Sequence, residues 1–309
     1  MKEITDYKKV FDALVNNTKE YLITNNIEAM ILGISGGIDS TVCAAICHEV
    51  SKQTGIPLIG RSLPTKFNKK EESYTANLVS EAFCNDFEVY SMGDIYEEVE
   101  NSFSWHESKP PTPISSGNIQ ARLRMIYLYN VASLHKGIVI DTDNLTEHNL
   151  GYWTIHGDVG DFNPIGGLWK TEIFELAELL VKLYDFTSKL HSNPHLIELE
   201  KSKADAIRES LKLKPTAGLG ITNNDLEELG AESYEQVDGI LQEILAWKSN
   251  NAAHGIYYES LEMEKLAFLD EQQMLCYPIK VIISITERHF NSEFKRKQLP
   301  VVIPRFLFN

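Results

Sequence analysis

Along residues 1–22, MKEITDYKKVFDALVNNTKEYL, the apolar Val10, Leu14 and Leu22 fall near one face of a helix and the remainder is polar. Residues 29–34 (AMILGI) form a short continuous apolar run that ends in SGG, the pattern of a buried strand entering a turn. Thr41 to Val50 then reads as a helix, 56–61 (IPLIGR) as a second strand, 70–83 as a helix and 87–91 (FEVYS) as a third strand. A helical stretch over 118–135 carries an apolar stripe of Leu123, Ile126, Tyr127 and Val131, and 137–140 (GIVI) reads as a fourth strand. Strands alternating with helices predict βαβ units: an α/β fold with a doubly wound parallel sheet and helices on both faces. Such sheets bind ligands beyond the carboxyl ends of their strands, which directs attention to the residues after 34, 61, 91 and 140.

Three stretches break the alternation. Residues 105–117 (WHESKPPTPISSG) hold three of the eleven prolines and read as a loop, either an active-site lid or a plain connector. Residues 186–227, with Pro194, Pro215 and AGLGITNND, read as a second irregular region. The apolar C-terminus LPVVIPRFLFN is expected to dock on the body or on a partner subunit. The expected organisation is a single unit over 1–309, with an N-terminal helix (1–28), a nucleotide-binding core (29–185) and an irregular and helical C-terminal part (186–309).

Composition narrows the function. At 309 residues, 43% hydrophobic and 24% charged, the chain is in the ordinary globular range. No apolar run approaches the roughly 20 residues of a membrane helix. The N-terminus lacks the apolar segment of a signal peptide, and four cysteines do not make a disulfide scaffold, so a cytoplasmic protein is expected. Cys43 and Cys47, at i and i+4, read as small buried residues in preference to a metal pair. A net charge of −15 disfavours binding along nucleic acid phosphates, and neither nucleic acid nor membrane is expected as a partner.

The segment richest in chemistry is LGISGGIDS, Leu32–Ser40, at the start of the first long helix after the apolar strand. Gly36 and Gly37 allow backbone N–H groups to approach a polyanion without Cβ clashes, and the helix that follows offers its positive end. Asp39 is out of place at an anion site unless it holds Mg²⁺ against the phosphates. The loop is not a Walker A motif, because the chain has no Gly-Lys pair, and G-x-G-x-x-G is absent here. Ser35-Gly36-Gly37-Ile38-Asp39-Ser40 resembles the SGGxDS loop of the PP-loop ATP pyrophosphatases, which have an adenine nucleotide alpha hydrolase-like fold and cleave ATP between the α and β phosphates. The plain alternative is a Ser/Gly turn that only caps a helix.

A second polar cluster follows the fourth strand, in GIVIDTDNLTEHNLGYWTIHGDVGDFNPIGGLWK (137–170). Here the chain resembles the NAD synthetases, whose pattern runs G-T-x-N/H-x-x-E, G-Y/F-x-T-x-Y/F-G-D, D-x-x-P and K-[TR]. Gly117-Asn118 with Ala121-Arg122-Leu123-Arg124-Met125 is similar to the family's G-N-x-x-A-R-x-R-M helix. Lys214-Pro215-Thr216-Ala217-Gly218-Leu219, Glu228-Leu229-Gly230 and Ser292-Glu293-Phe294-Lys295-Arg296-Lys297 match later segments in family order. The departures are Asp141 where the family usually has Gly, Ile155 where many bacterial members have Lys, a shorter GDVGDFNP turn, Gly220 in place of Trp and Phe294 in place of His. They fall mainly on the dinucleotide side.

The resemblance implies an ammonia-dependent ligase with ATP as co-substrate and Mg²⁺ as cofactor. The nicotinate carboxylate of deamido-NAD attacks the α-phosphorus of ATP, and ammonia then displaces AMP to give NAD. Gly33, Ile34, Ser35, Gly36, Gly37, Ile38, Asp39 and Ser40 are implied to cradle pyrophosphate, with Asp39 and Glu147 on the metal. Lys170 is implied to neutralise phosphate charge, and Thr142 and Thr216 to hydrogen-bond the nucleotide. Arg122, Asp161 and Lys295 are implied to bind deamido-NAD, and Asp158 to bind ammonium or take its proton. For each the bland reading is a solvated or capping residue, the default for surface Glu, Lys and Arg. Glutamine-using members carry an N-terminal amidase domain; with the phosphate loop starting at residue 33, free ammonia is expected, with a separate glutaminase subunit as an open partner. The family also implies a homodimer, and the stripe on 118–135 suits either a two-fold contact or a core. Competing readings are another PP-loop adenylating ligase or tRNA-modifying enzyme, which the charge of −15 disfavours, and an inactive nucleotide sensor, which has no need of Asp39, Glu147 and Lys170 together.

Overall fold

The computed structural model describes residues 4–65, 68–107, 109–214, 225–271, 276–297 and 301–302. Its elements in chain order are α1 (Tyr7–Thr24), β1 (Ala29–Gly33), α2 (Ile38–Thr54), β2 (Leu58–Ser62), α3 (Lys70–Phe83), β3 (Asp86–Val89), α4 (Gly93–Glu107), α5 (Pro113–Leu134) and β4 (Gly137–Ile140). Then come α6 (Leu145–Leu150), β5 (Phe162–Asn163), α7 (Lys170–Leu190), α8 (Pro194–Lys212), α9 (Asp225–Leu229), α10 (Tyr234–Ala253), α11 (Leu261–Glu271), α12 (Ile279–Asn291), a 3₁₀ turn (Lys295–Lys297) and β6 (Val301–Val302).

The strands form one sheet in the order β3-β2-β1-β4-β5-β6, with every pairing parallel. Alternation along the strands sorts the core. Met30, Leu32, Leu58, Ile138 and Ile140 face one side, where α1, α2, α3, α7 and α8 pack. Ala29, Ile31, Ile59 and Val139 face the other, against Met125, Leu128, Val131 and Ala132 of α5. This is the expected doubly wound α/β architecture. A third apolar cluster joins α6, α9, α10, α11 and α12 around Val237, Leu241, Phe268 and Ile285. The chain leaves β1 toward β2 on one side and reaches β4 on the other, so a crevice opens between the carboxyl ends of β1 and β4.

Several boundaries differ from the sequence expectation. The helix expected over 41–50 begins at Ile38 and runs to Thr54, where Gly55 closes it at φ +78°. The second strand lies at Leu58–Ser62 and the third at Asp86–Val89. The loop expected over 105–117 is mostly helix, because α4 extends to Glu107 and α5 starts at Pro113. Pro113 occupies the first helical position, where its missing N–H costs nothing, and Thr112 caps the turn by accepting from Ser115 N at 3.1 Å. The irregular region expected over 186–227 is corrected in the same way over 186–212, while Pro215 and residues 217–224 of its AGLGITNND turn lie outside the described residues. Pro194 opens α8, capped by Asn193, whose side chain accepts from His195 N at 2.9 Å. The expected boundary at 185 falls inside α7, and β5 and β6, two residues each, were not anticipated. The stripe on α5 divides: Val131 is buried on the sheet, whereas Ile126 is 67% exposed.

Candidate active site

The loop between β1 and α2 lies at the mouth of the crevice. Gly36 adopts φ +86°, and a Cβ there would come within 2.4 Å of Glu72 O, so only glycine fits. Ser40 Oγ and Thr41 Oγ1 donate back to Gly37 O at 3.0 and 2.9 Å, and Ser210 of α8 donates to Gly36 O at 2.9 Å. The cap residue of α2 is Gly37, which has no side chain to satisfy the first N–H groups. A long helix thus presents a braced, uncapped N-terminus to a cavity of about 570 Å³, a size suited to a nucleotide. Gly33, Ile34, Ser35, Gly37, Ile38, Asp39 and Ser40 line it.

Three charged side chains converge at its base. Lys170, the first residue of α7, is 2% exposed, and its Nζ lies 2.5 Å from Asp39 Oδ2 and 3.1 Å from Glu147 Oε1. Asn144 fixes both acids, donating Nδ2–H to Asp39 Oδ1 at 2.9 Å and its backbone N–H to Glu147 Oε2 at 3.2 Å. Asn144 is also the N-cap of α6, accepting from Glu147 N at 3.0 Å. Burial pulls the Lys170 ammonium down, but Asp39 and Glu147 outweigh it and hold the group well above its ordinary value. Burial raises the Glu147 carboxyl to about 7, against the pull of Lys170. One cation between two acids neutralises only one of them, so this centre retains room for further positive charge.

Asp39 and Glu147 are the two carboxylates of this centre that could hold a cation. Among the described residues no group of three or more His, Cys, Asp or Glu side chains could hold a metal ion unaided. A small hard cation that binds through one or two carboxylates and completes its shell with phosphate oxygens and water asks for no more protein ligands than these two.

A second acidic group lies beyond β4. Asp141 accepts from Asp143 N at 2.9 Å and from Gly160 N at 3.2 Å, and Asp158 accepts from Thr154 N at 2.7 Å. Burial raises all three carboxyls, Asp141 to about 7, Asp143 well above the usual range and Asp158 less far. Lys295 and Arg124 oppose the rise at Asp158 through the field. Arg124 donates to Leu63 O at 3.1 Å and Asn68 Oδ1 at 3.2 Å, and Lys295 to Gly151 O at 2.7 Å and Trp153 O at 2.5 Å. The wall thus sets carboxyls that burial raises beside cations whose hydrogen bonds go to neutral acceptors.

Of the residues expected from the sequence, Asp39, Thr142, Glu147, Asp158, Lys170 and Lys295 line this one cavity with the glycine loop. Two lie apart from it. Arg122 is exposed on α5 and donates to Ile155 O at 3.0 Å. Asp161 spends its oxygens internally, accepting from Tyr129 Oη at 2.9 Å and from Val139 N at 3.0 Å. Thr216 lies outside the described residues. Sequence reasoning passed over Arg61, Arg124, Asp143 and Asn144. The Asn144-x-x-Glu147 spacing was a readable capping signature, and Arg61 stands out as a charge ending an apolar strand.

The family model described as NAD synthase matches residues 10–299. The NH(3)-dependent NAD(+) synthetase of Methanococcoides burtonii is 32% identical over 244 residues, covering 79% of this chain and 82% of that protein. The corresponding protein of Helicobacter pylori is 28% identical over 302 residues, covering 97% and 98%. Among solved structures, the NMN synthetase of Francisella tularensis superposes with a TM-score of 0.67 at 26% identity, covering 96% of this chain and 98% of that one. A glutamine-dependent NAD(+) synthetase from Cytophaga hutchinsonii shares the fold at TM-score 0.66 and 17% identity; this chain spans 51% of its length.

Proposed function

The chain belongs to the NAD synthase family, and we propose that its cavity carries out the ATP-dependent amidation of nicotinic acid adenine dinucleotide (deamido-NAD) to NAD, with ammonia as nitrogen donor and release of AMP and pyrophosphate. The observation that carries this reading is the Asp39–Lys170–Glu147 centre beneath the uncapped start of α2. Charge neutralisation and positioning are what an adenylation step demands of a protein.

The family pattern and the geometry support the following roles. Backbone N–H groups from Gly33 through Ser40 donate to the β and γ phosphates of ATP, and the end of α2 stabilises the departing pyrophosphate. Lys170 holds positive charge at the phosphates, where its raised pKa keeps it protonated throughout neutral pH. Thr142, and by the family pattern Thr216, hydrogen-bond the nucleotide. Asp39 and Glu147 would hold Mg²⁺, which supplies Lewis-acid polarisation of the phosphoryl oxygens when bound. Asp158 lies among acids that burial already inclines toward taking a proton, which suits it to receiving the proton that a bound ammonium must shed to become the attacking ammonia. Lys295, which lines the cavity, would bind deamido-NAD by the family pattern.

The whole chain, 1–309, acts as one unit in this reading, since Arg288 of α12 and Asp225 of α9 line the same cavity as the β1–α2 loop. We further propose a homodimer formed across the outer face of α5, with Arg122 binding deamido-NAD at the contact and, by the family pattern alone, Asp161, whose oxygens already accept from Tyr129 Oη and Val139 N. Arg122 and Ile126 share that face at i and i+4, and Ile126 is 67% exposed. No helix among the described residues is long and apolar enough to cross a membrane. Four free cysteines suit the reducing cytoplasm as the place of work.

The test is direct. Protein incubated with ATP, Mg²⁺, ammonium and deamido-NAD should yield NAD, AMP and pyrophosphate in equal amounts. AMP without NAD points to another adenylating ligase, and neither product points to a nucleotide sensor. Running nicotinic acid mononucleotide in parallel measures the smaller substrate class suggested by the Francisella structure. Ammonium replaced by glutamine should give no NAD without an added glutaminase.

A further inference from the structure

Helix α7 carries Lys170 as its first residue, yet its N-cap is Trp169, whose side chain makes no cap hydrogen bond. The first N–H groups of a helix have no acceptor within it and must find one elsewhere. Here two other elements provide them. Thr146 of α6 accepts from Lys170 N at 2.8 Å. Asp238 of α10 accepts from Thr171 N with Oδ2 at 3.0 Å, and its Oδ1 accepts the Thr146 hydroxyl proton at 2.5 Å. The Thr171 side chain donates to the same carboxylate. One turn earlier on α10, the ring of Tyr234 faces the Lys170 ammonium at 5.8 Å. Thr146 and Asp238 are 1% and 2% exposed, so water does not substitute for any of these partners.

The direction of each bond matters. Because Asp238 takes the proton of Thr146, the lone pairs of that hydroxyl are left for Lys170 N. Thr146 directly precedes Glu147, and Thr171 directly follows Lys170. A single buried carboxylate therefore fixes the backbone on either side of the Lys170–Glu147 contact.

We propose that Asp238 is a positioning residue for the reaction, registering α6 against α7 so that Glu147 and Lys170 converge on Asp39. This rests on the roles given above to Lys170 and Glu147. Asp238 itself does not line the cavity and touches no reacting atom.

Asp238→Asn tests the idea with little change of shape. An amide offers one acceptor and one donor, so its NH₂ must face either Thr171 N–H or the Thr146 hydroxyl. In the second case the hydroxyl must turn its own proton out of the contact and, buried as it is, that proton loses the acceptor the carboxylate gave it. Either arrangement loses a hydrogen bond that the carboxylate accepts. The turnover number for AMP release, per folded molecule, should fall roughly 10–100-fold, the usual consequence of losing a buried supporting partner of a charged site. The KM for ammonium should change less than twofold, and ATP affinity measured by calorimetry without added metal should fall at least threefold. Thr146→Val should reproduce both losses, Thr146→Ser should restore them, and the Asp238→Asn/Thr146→Val double variant should be no worse than either single. Wild-type turnover in Asp238→Asn, multiplicative losses in the double variant, or a lowered melting temperature with turnover per folded molecule unchanged would each overturn the positioning role. Lys170→Met separates the two levels. If it is inactive while Asp238→Asn is normal, only the positioning role fails; if it retains AMP release, the assignment of Lys170 fails first.

Discussion

Lys170→Met removes one ammonium and keeps a stem of similar length in a site that is almost sealed. The side chain of Lys170 is 2% exposed, and those of Asp39 and Glu147 are 16% and 21% exposed. Breaking a fully buried ion pair by deleting one partner costs about 3–5 kcal/mol, because the other charge stays behind unpaired. Both acids here reach a cavity open to solvent, which reduces the figure to about 2 kcal/mol at pH 8. Acid should relieve the strain further. The Glu147 carboxyl titrates at about 7 in the folded protein against 4.5 for the free group, so the folded state takes up a proton that the unfolded chain lacks between those values. Without Lys170 this preference grows, and the deficit relative to wild type should shrink at pH 6. Urea unfolding of both proteins at pH 6 and pH 8 measures it. The same variant should lose roughly 10²–10³-fold in AMP release, the scale found when a preorganised charge is removed from a developing transition state. A deficit under about 0.5 kcal/mol at both pH values, or turnover within threefold of wild type, would refute the reasoning.

Two further predictions address the acidic wall and the α5 face. Burial raises Asp141 from 3.8 to about 7, so the native state binds the extra proton across that window and stability falls as pH rises through it. At about 1.4 kcal/mol per pH unit the whole window is worth at most roughly 4 kcal/mol. Asp141→Asn should flatten the fall in melting temperature between pH 4 and pH 7, and parallel curves for the two proteins would contradict the burial argument. Ile126→Glu, a change at a position 67% exposed, should leave the melting temperature of the monomer unchanged and shift light-scattering mass from two chains to one; a wild-type protein already of single-chain mass would remove the dimer proposal.

The sequence made some of this structure legible because certain functions are written in residue type. The glycine loop could be recognised before any coordinates, since only glycine tolerates the backbone that Gly36 adopts and the approach of Glu72 O behind it. Strands β1, β2 and β4 stood out as short apolar runs. Pro113 and Pro194 were misleading, because the same residue that breaks a helix also begins one. The deciding information was one position earlier, in the capping side chains of Thr112 and Asn193. Strands of two residues, such as Phe162–Asn163, carry no periodicity to detect. The supporting polar residues were least visible. Asp238 lies 92 positions from Thr146, and nothing local on α10 announces that its carboxylate ends up between α6 and α7. Asp161 shows the opposite difficulty: a carboxylate in a Gly-rich turn suggests a ligand, but in the folded chain Tyr129 and the backbone of Val139 occupy its oxygens.

The central claim is that ATP activates a carboxylate by adenylation at the Asp39–Lys170–Glu147 centre. Deamido-NAD labelled with ¹⁸O in its nicotinate carboxylate, incubated with the protein, ATP, Mg²⁺ and ammonium, tests it most directly. One labelled oxygen should appear in the phosphate of AMP for each NAD formed, and none in pyrophosphate. NAD formation with unlabelled AMP, or with release of ADP and labelled phosphate, would contradict the account.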